Sequence, residues 1–382
     1  MDTMDREDPI VDQSTLTLLE HVNLNVPSQT FILPFYYDLL GCGMDPRKAA
    51  NVVVVGANAN DDDDDEDDDP SSSTKNKHKK QTLWANCGAS QFHLPHGTTA
   101  QRIPGMIGVR YNSLDGVKER LQQQQSSTDP NVKACVKSFT MGTSPTAGDY
   151  VKLTDAYDNV FFCRSGGNPL SHHPHWQQPI MTPPNEDDDD TTEEQPWKKD
   201  VANRYGRTVT DCCGIDFVEY PCPVGTAERI ALFYDSVLDA TTSILTANDC
   251  NNDNDDDDDS KKKIAIVAFG NVRASGKADQ SLIFRETSEP IPKYDGHHIA
   301  MYIGQSQADF ERAFQNAEMA NIVWVNPRFS DKAMTLEGAK KWKQFRFKDI
   351  VDMKTGKPIF QLEHEMRSIE HEAWPGKRDE RL

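Results

Sequence analysis

Apolar and polar residues alternate along Glu20–Pro27, a stretch that the rest of the chain repeats. In EHVNLNVP two valines and a leucine alternate with His21 and two asparagines. A period of two residues predicts a β-strand with one apolar face, and His21 then points to the opposite face. The apolar helix FILPFYYDLLG follows. The same order returns as DFVEYPCP before ERIALFYDSVLDA, with Phe217 where the first copy has His21.

The predicted elements follow one order, a strand, a helix and three strands, four times along the chain. The first strands of the four units are predicted at 16–26, 105–112, 214–221 and 297–304. The helices are predicted over 28–41, 114–125, 225–239 and 307–319. Four βαβββ units of this kind predict an α+β fold built from an internal repeat.

Three runs of acidic residues carry much of the formal net charge of −20. They lie at Asp61–Asp69, Glu186–Glu194 and Asp249–Asp259, and without their 23 acids the chain keeps 38 against 41 Lys and Arg. Such runs bury too little apolar surface to become ordered, so we interpret them as disordered and solvated. An interaction protein that binds basic partners through these runs is an alternative. No basic cluster is present, which argues against nucleic acid as a partner.

The composition divides the chain at a Pro-, Asp- and Glu-rich linker. The predicted segments are a disordered lead 1–15, a first domain 16–166 with an acidic insertion 58–80, the linker 167–210, a second domain 211–366 with an acidic insertion 249–262, and a tail 367–382. Both insertions fall between the second and third strands of a unit, where a surface hairpin tolerates extra length.

The eight cysteines and the apolar runs of the sequence indicate the cellular compartment in which we expect the protein. The start MDTMDREDP has neither a basic nor an apolar region of a secretory signal, and no apolar run approaches the roughly 20 residues that span a bilayer. No Cys-x-x-Cys or Cys/His zinc spacing occurs. We therefore expect an intracellular, cytoplasmic protein with free cysteines and no membrane partner.

Several segments resemble the vicinal oxygen chelate superfamily, which includes glyoxalase I, extradiol dioxygenases and bleomycin-resistance proteins. The resemblance rests on the order and spacing of EHVNLNVP, FYYDLLG, SQFHLP, LTDAYDNVFF, GHHIAMYI and TGKPIFQLEHE. It covers most of the chain outside the insertions. It implies that the four βαβββ units pair into two glyoxalase-like domains of cupped mixed sheets.

The resemblance also implies a divalent metal on the inner face of two facing units, with ligands from the first and last strand of each. The first unit offers His21 and His93, and the fourth offers His298 and Gln361. The second and third units offer apolar residues such as Phe217. A complete site therefore requires that the first unit faces the fourth. Three imidazoles and an amide oxygen would suit Zn, Ni, Co or Fe(II) better than Ca or Mg.

The metal-bound carboxylates of the family are missing from these positions, because His93 and Gln361 stand where glyoxalase I usually has Glu. Glu363 lies two residues beyond Gln361 and shares its face of the strand. It is the candidate catalytic base, or the fourth ligand if the register is displaced by two residues. With His21 and His298, Glu363 would then resemble the two His and one Glu of extradiol dioxygenases.

Two functions of different classes fit these residues. The first is a metal-dependent lyase, isomerase or dioxygenase acting on a small oxygen-rich substrate at one site between the first and fourth units. The second is a non-catalytic protein of the same fold that binds a small molecule, and the missing carboxylates favour it. A strand histidine is often only an interior residue, and His297, which alternates with His298, is predicted to be structural. We expect a monomer or homodimer, since four units complete a site within one chain.

Overall fold

The computed structural model describes residues 8–45, 48, 51, 82–144, 148–166, 211–246 and 262–374. Apart from Lys262, the predicted insertions 58–80 and 249–262 and the linker 167–210 lie outside the described residues. The apolar run NVVVVGA at 51–57, which its sequence predicts to be the second strand of the first unit, lies outside them as well, except for Asn51.

Each of the four units shows the predicted strand, helix and three strands, and the second and fourth units each contain one additional short helix. The first consists of β2 (Leu16–Asn23), a π-helix α1 (Leu33–Leu39), β3 (Gly43–Met44), β4 (Leu83–Cys87) and β5 (Ser90–Leu94). The second consists of β6 (Met106–Tyr111), α2 (Asp115–Ser126), α3 (Pro130–Ala134), β7 (Val136–Ser144), β8 (Gly148–Asp155) and β9 (Val160–Ser165). The third consists of β10 (Cys212–Pro223), α4 (Ala227–Leu238), β11 (Thr242–Thr246), β12 (Lys263–Arg273) and β13 (Ala278–Thr287). The fourth consists of β14 (His298–Ile303), α5 (Gln307–Met319), β15 (Val323–Trp324), α6 (Leu336–Trp342), β16 (Gln344–Val351) and β17 (Pro358–Ser368).

The segment before the first unit corrects one expectation. Strand β1 (Ile10–Gln13) pairs antiparallel with β12, although it lies within the lead 1–15 that we predicted to be disordered. Its four residues are all exposed, so the apolar pattern could not reveal it. The unpaired backbone groups along the edge of β12 supply its partners instead.

Strand pairing is the same in every unit. The first strand of a unit pairs parallel with its last strand. The last strand then pairs antiparallel with the third, and the third pairs antiparallel with the second. The helix of each unit makes the crossover that a parallel pair requires. This repeated strand order confirms the predicted fold class of four βαβββ units in paired mixed sheets.

The units pair outer with outer and inner with inner. The first and fourth units form one sheet, ordered β15-β16-β17-β14-β2-β5-β4-β3, which we call the outer sheet. The second and third form the inner sheet, ordered β1-β12-β13-β10-β6-β9-β8-β7, with β11 on β12. In each sheet two first strands meet antiparallel, β2 with β14 and β10 with β6. The ranges 16–166 and 211–366 therefore each give one unit to each sheet.

One large apolar core of the described residues includes side chains from all four units. Fully buried aromatic residues from each unit belong to it, among them Phe92, Phe161, Phe284 and Phe347. Local sequence determines where helix α5 begins. Ser306 and Asp309 form a capping box there, in which each side chain accepts a hydrogen bond from the other residue's backbone N–H. No helix in the described part of the chain is both long and apolar enough to cross a membrane.

Candidate metal centre

The central strands of the outer sheet bring polar residues to one face. His21 on β2 stands opposite Ala300 on β14, and Ala300 stands opposite Glu365 on β17. Two pairs further along, and so on the same face, His298 stands opposite Asn23. Directly paired residues share a face of a sheet, so His21, His298 and Glu365 project from the same side.

These three residues form a group of donor atoms that we call the three-donor group. Their ligand atoms all lie within 4.8 Å of one another. The Nε2 atoms of His21 and His298 are 3.4 Å apart, and His298 Nε2 is 3.6 Å from a carboxylate oxygen of Glu365. Each side chain is buried. Two imidazoles and a carboxylate thus converge away from solvent.

An irregularity in β2 adds a fourth residue to this face. The pairing with β14 steps from His21 opposite Ala300 to Leu19 opposite Met301, which leaves Glu20 as the extra residue of a bulge. The Glu20 carboxylate lies 2.5 Å from His21 Nδ1. Because a carboxylate accepts, His21 Nδ1–H donates, and the lone pair of Nε2 is directed into the three-donor group. Metal-bound histidines are held in this way by a carboxylate behind them.

Two arginines hold Glu365 from both sides. Arg346 Nη2 donates to one carboxylate oxygen of Glu365 at 2.6 Å, and Arg367 Nε donates to the other at 2.6 Å. Arg367 also donates to Glu20 at 2.9 Å. Burial raises the pKa of Glu365, but the two guanidiniums outweigh it and hold that pKa well below its ordinary value. Glu365 is therefore held in the ionised form, in which a carboxylate can bind a cation.

This buried network contains more acidic side chains than arginines. Arg346 also pairs with Asp331 at 2.6 Å and with Glu363 at 3.0 Å. Counted in ionised form, the four carboxylates of Glu20, Asp331, Glu363 and Glu365 face two guanidiniums, a surplus of two negative charges. Buried charges are normally paired or bound to metals, so a divalent cation would complete the balance.

The separations within the group fit a metal. Two ligand atoms of a tetrahedral zinc shell, with bonds of about 2.0–2.1 Å, stand about 3.3–3.4 Å apart. The observed 3.4 and 3.6 Å match that edge closely. Burial, followed by the nearby Arg346, lowers the pKa of His298 well below its ordinary value, which keeps its ring neutral and able to bind a cation. One departure is His298 Nδ1, which is buried without a hydrogen-bond partner among the described residues.

His93, an expected ligand, lies beside the group and not within it. Its ring stacks on His21 with 3.7 Å between centroids and on Trp84 with 4.6 Å. Its Nε2 lies 3.1 Å from Gln91 Oε1, which can only accept, so Nε2–H donates there. Burial and the neighbouring His21 lower the pKa of His93 well below its ordinary value. It packs against His21 as a neutral ring.

The structure separates Gln361, the fourth expected ligand, from the group. Gln361 is exposed and donates to Asp349 at 3.2 Å. Glu363 stands opposite His298, and its oxygens accept from Asn326 at 3.0 and 2.9 Å. Glu365 reaches the imidazoles instead, four residues beyond Gln361 on the same strand. The sequence prediction missed Glu365. The alternation in QLEHE could have indicated it, because it places Glu363 and Glu365 on one face of the strand.

The corresponding positions of the inner sheet are apolar, as the comparison of first strands predicted. Phe217 on β10 stands opposite Gly108 on β6. A Cβ atom at Gly108 would lie 2.3 Å from the Phe217 ring, so only glycine fits there. The aromatic ring fills the space that His21 and its partners occupy in the outer sheet.

No family model and no curated protein matches the sequence. Several solved structures resemble the chain. Glyoxalase I from Zea mays is 10% identical, with 93% of each chain covered and a TM-score of 0.45. The 2,2',3-trihydroxybiphenyl 1,2-dioxygenase of Sphingomonas wittichii is 10% identical over 92% of this chain and 90% of that chain, with a TM-score of 0.24. A fosfomycin resistance protein from Listeria monocytogenes is 11% identical over 40% of this chain and 92% of that chain, with a TM-score of 0.24.

These solved structures are members of the vicinal oxygen chelate superfamily, the group that the sequence motifs resemble. At 10 to 11% identity the likeness concerns the fold alone. The fold assignment rests on the strand order of the four units. The chemistry of the site is inferred from the side chains of the three-donor group.

Proposed function

We propose that the protein is a divalent-metal-dependent enzyme that acts on a small oxygen-rich substrate at the outer sheet. His21, His298 and Glu365 are the proposed ligands, and Glu20 orients His21 from behind. The observation that supports this most is the convergence of three donor atoms within 4.8 Å of one another. The surplus of negative charge in the buried network supports it as well.

The donor set favours particular metals and reactions. Two imidazoles and one carboxylate are the ligands of non-haem iron oxygenases, and Zn, Co and Ni also accept them. A metal held there would act as a Lewis acid toward adjacent oxygen atoms of a substrate. The proposed reaction is therefore of the dioxygenase type or of the lyase and isomerase type.

Glu363 is the proposed base. It shares the face of the three-donor group, because it stands opposite His298 on the neighbouring strand. Burial raises its pKa above the ordinary value, despite the hydrogen bonds from Asn326 and the charge of Arg346. A carboxylate with a raised pKa is better suited to accept a proton than Glu365, whose pKa is lowered.

Phe329 covers part of the three-donor group. Its ring meets His298 edge to face with 5.7 Å between centroids, and the Arg346 guanidinium lies 4.4 Å from the ring centroid. Removing this ring would expose His298 and Arg346 to small molecules. We propose that substrate approaches from this side.

A non-catalytic protein that binds a small molecule is the second candidate. The observation that favours it is that guanidiniums of Arg346 and Arg367 occupy both oxygens of Glu365. In that case the network would be a buried ion cluster that stiffens the sheet, without a metal.

Reconstitution followed by turnover assays tests the proposal. The purified chain would be loaded separately with Fe(II), Zn, Co and Ni under anaerobic conditions, then assayed with 3-methylcatechol and with the hemithioacetal of methylglyoxal and glutathione. Turnover that disappears in Glu365→Gln and His298→Ala, and persists in the matched control Gln361→Ala, would support the enzyme. No stoichiometric metal under any of these conditions, together with no turnover on either substrate, would favour the binding protein.

A further inference from the structure

A cavity of about 630 Å³ lies where the loop before β14 meets the ends of β10 and β17. Tyr220, Tyr294, His297 and Phe360 are among its lining residues. His297 and His298 are neighbours in the chain, and alternation along the backbone sends their side chains to opposite faces. The cavity is thus separate from the three-donor group, and its volume lies in the range of small-molecule sites.

Two buried polar atoms on this wall have no partner among the described residues. They are Nε2 of His297, which is 3% exposed, and the hydroxyl of Tyr220, which is 1% exposed. The two rings are nearly parallel, at 9° with 5.8 Å between centroids. A buried polar group left without a hydrogen bond costs about 1–3 kcal/mol, so two on one cavity wall indicate that something polar binds there.

The contacts around His297 determine which of its ring nitrogens donates a hydrogen bond and which accepts one. Its Nδ1 lies 2.7 Å from a carboxylate oxygen of Asp295, so Nδ1–H donates and Nε2 carries a lone pair. Asp295 is held in turn by the backbone N–H of Arg102 at 2.7 Å, and the Tyr294 hydroxyl donates to the His297 carbonyl at 2.6 Å. His297 therefore presents a fixed acceptor, which calls for a ligand that donates.

The other residues that line the cavity indicate the shape and charge of the ligand. Tyr220 and Phe360 meet edge to face at 5.9 Å, and both line the cavity together with Ile359. Such walls suit a flat aromatic body. Arg102 and Lys293 also line the cavity and are exposed. The two acids of the lining already have partners, Asp158 in Lys137 and Asp295 in His297, so Arg102 and Lys293 are the cations that remain for a ligand on the solvent side.

We propose that this cavity binds a flat aromatic carboxylate that carries a phenolic hydroxyl. The hydroxyl donates to His297 Nε2 and accepts from the Tyr220 hydroxyl. The ring lies against Tyr220 and Phe360, and the carboxylate faces Arg102 and Lys293. The proposal does not depend on the metal centre, so metal-free protein should bind as well.

Titration calorimetry on the full chain with three acids tests this. The probes are trans-4-hydroxycinnamate, trans-4-methoxycinnamate and trans-cinnamate. We expect one equivalent of hydroxycinnamate to bind about tenfold or more tightly than the other two, because only it can donate to the buried acceptor. This comparison needs no variant. Absence of saturable hydroxycinnamate binding, or equal affinities for the three acids, would overturn the proposal.

Variants then assign the contacts. His297→Phe keeps a flat ring but removes the acceptor, so the preference for hydroxycinnamate should disappear. Lys293→Gln should weaken all three acids by a similar factor. Tyr150→Phe, which removes a hydroxyl in the inner sheet away from the cavity lining, is the matched control and should change nothing. A preference that survives in His297→Phe would refute the role given to this residue.

Discussion

Replacing Arg346 by methionine should destabilise the protein more than almost any other single change in the outer sheet. The Arg346 guanidinium pairs with three carboxylates, those of Asp331 at 2.6 Å, Glu363 at 3.0 Å and Glu365 at 2.6 Å. All four side chains are at most 7% exposed. Methionine fills similar space but leaves the three acids without this cation. Removing one partner of a buried ion pair costs about 3–5 kcal/mol.

The loss should depend on pH in a defined direction. In the folded protein the pKa of Glu365 lies well below 4.5, its value in an unperturbed chain. Its ionised form therefore adds stability above pH 4.5, and that stability is lost as the pH falls through the folded pKa. Arg346→Met removes much of this contribution. The difference in free energy of unfolding between variant and wild type should be largest near neutral pH and shrink below pH 4.5.

Urea unfolding of wild type and variant, at several pH values from 7 down to about 3, measures both effects. Arg229→Met is the matched control, because Arg229 pairs with Asp352 at 3.2 Å but is 45% exposed. Its loss should stay within about 1 kcal/mol. A loss below about 1 kcal/mol for Arg346→Met at pH 7, or one that does not change with pH, would refute the reasoning.

Four further predictions concern other contacts of the outer sheet. Glu20→Gln should weaken metal affinity about 10- to 100-fold in chelator competition, because the carboxylate behind His21 is lost, whereas Glu219→Gln in the inner sheet should have no effect. Phe329→Ala should speed the removal of bound metal by EDTA, since the ring over His298 is gone; an unchanged rate would place the access route elsewhere. Tyr234→Phe should cost about 1–3 kcal/mol in thermal or urea unfolding, because His364 Nε2, fully buried, loses its donor at 2.6 Å. Burial lowers the pKa of His364 to about 3, so wild type should lose stability as the pH falls below 6.5, and His364→Gln should lose less over the same range.

The repeat could be predicted because it depends on local pattern, namely the order of apolar and polar residues within each strand and helix. The choice of His21 and His298 needed the family resemblance as well, which implied a ligand on the first strand of each unit. The apolar residues of the second and third units at those positions then implied the outer pairing of units.

The remaining parts of the centre depend on register, which the alternation does not determine. Along QLEHE the residues Gln361, Glu363 and Glu365 share a face, and only the pairing of β17 with β14 decides which one meets His298 and His21. Strict alternation would place Glu20, the neighbour of His21 in the chain, on the opposite face from His21. The bulge in β2 brings both to one face, and nothing in the period of two residues announces a bulge.

Metal content of the purified protein would show whether the three-donor group binds a metal. Elemental analysis after reconstitution with Fe(II), Zn, Co and Ni would compare wild type with His21→Ala, His298→Ala and Glu365→Ala, and with Gln361→Ala as the control. We predict one metal per chain in wild type and in Gln361→Ala, and loss of that metal in the other three variants. Wild type without metal under every condition, or metal retained in all three variants, would contradict the account.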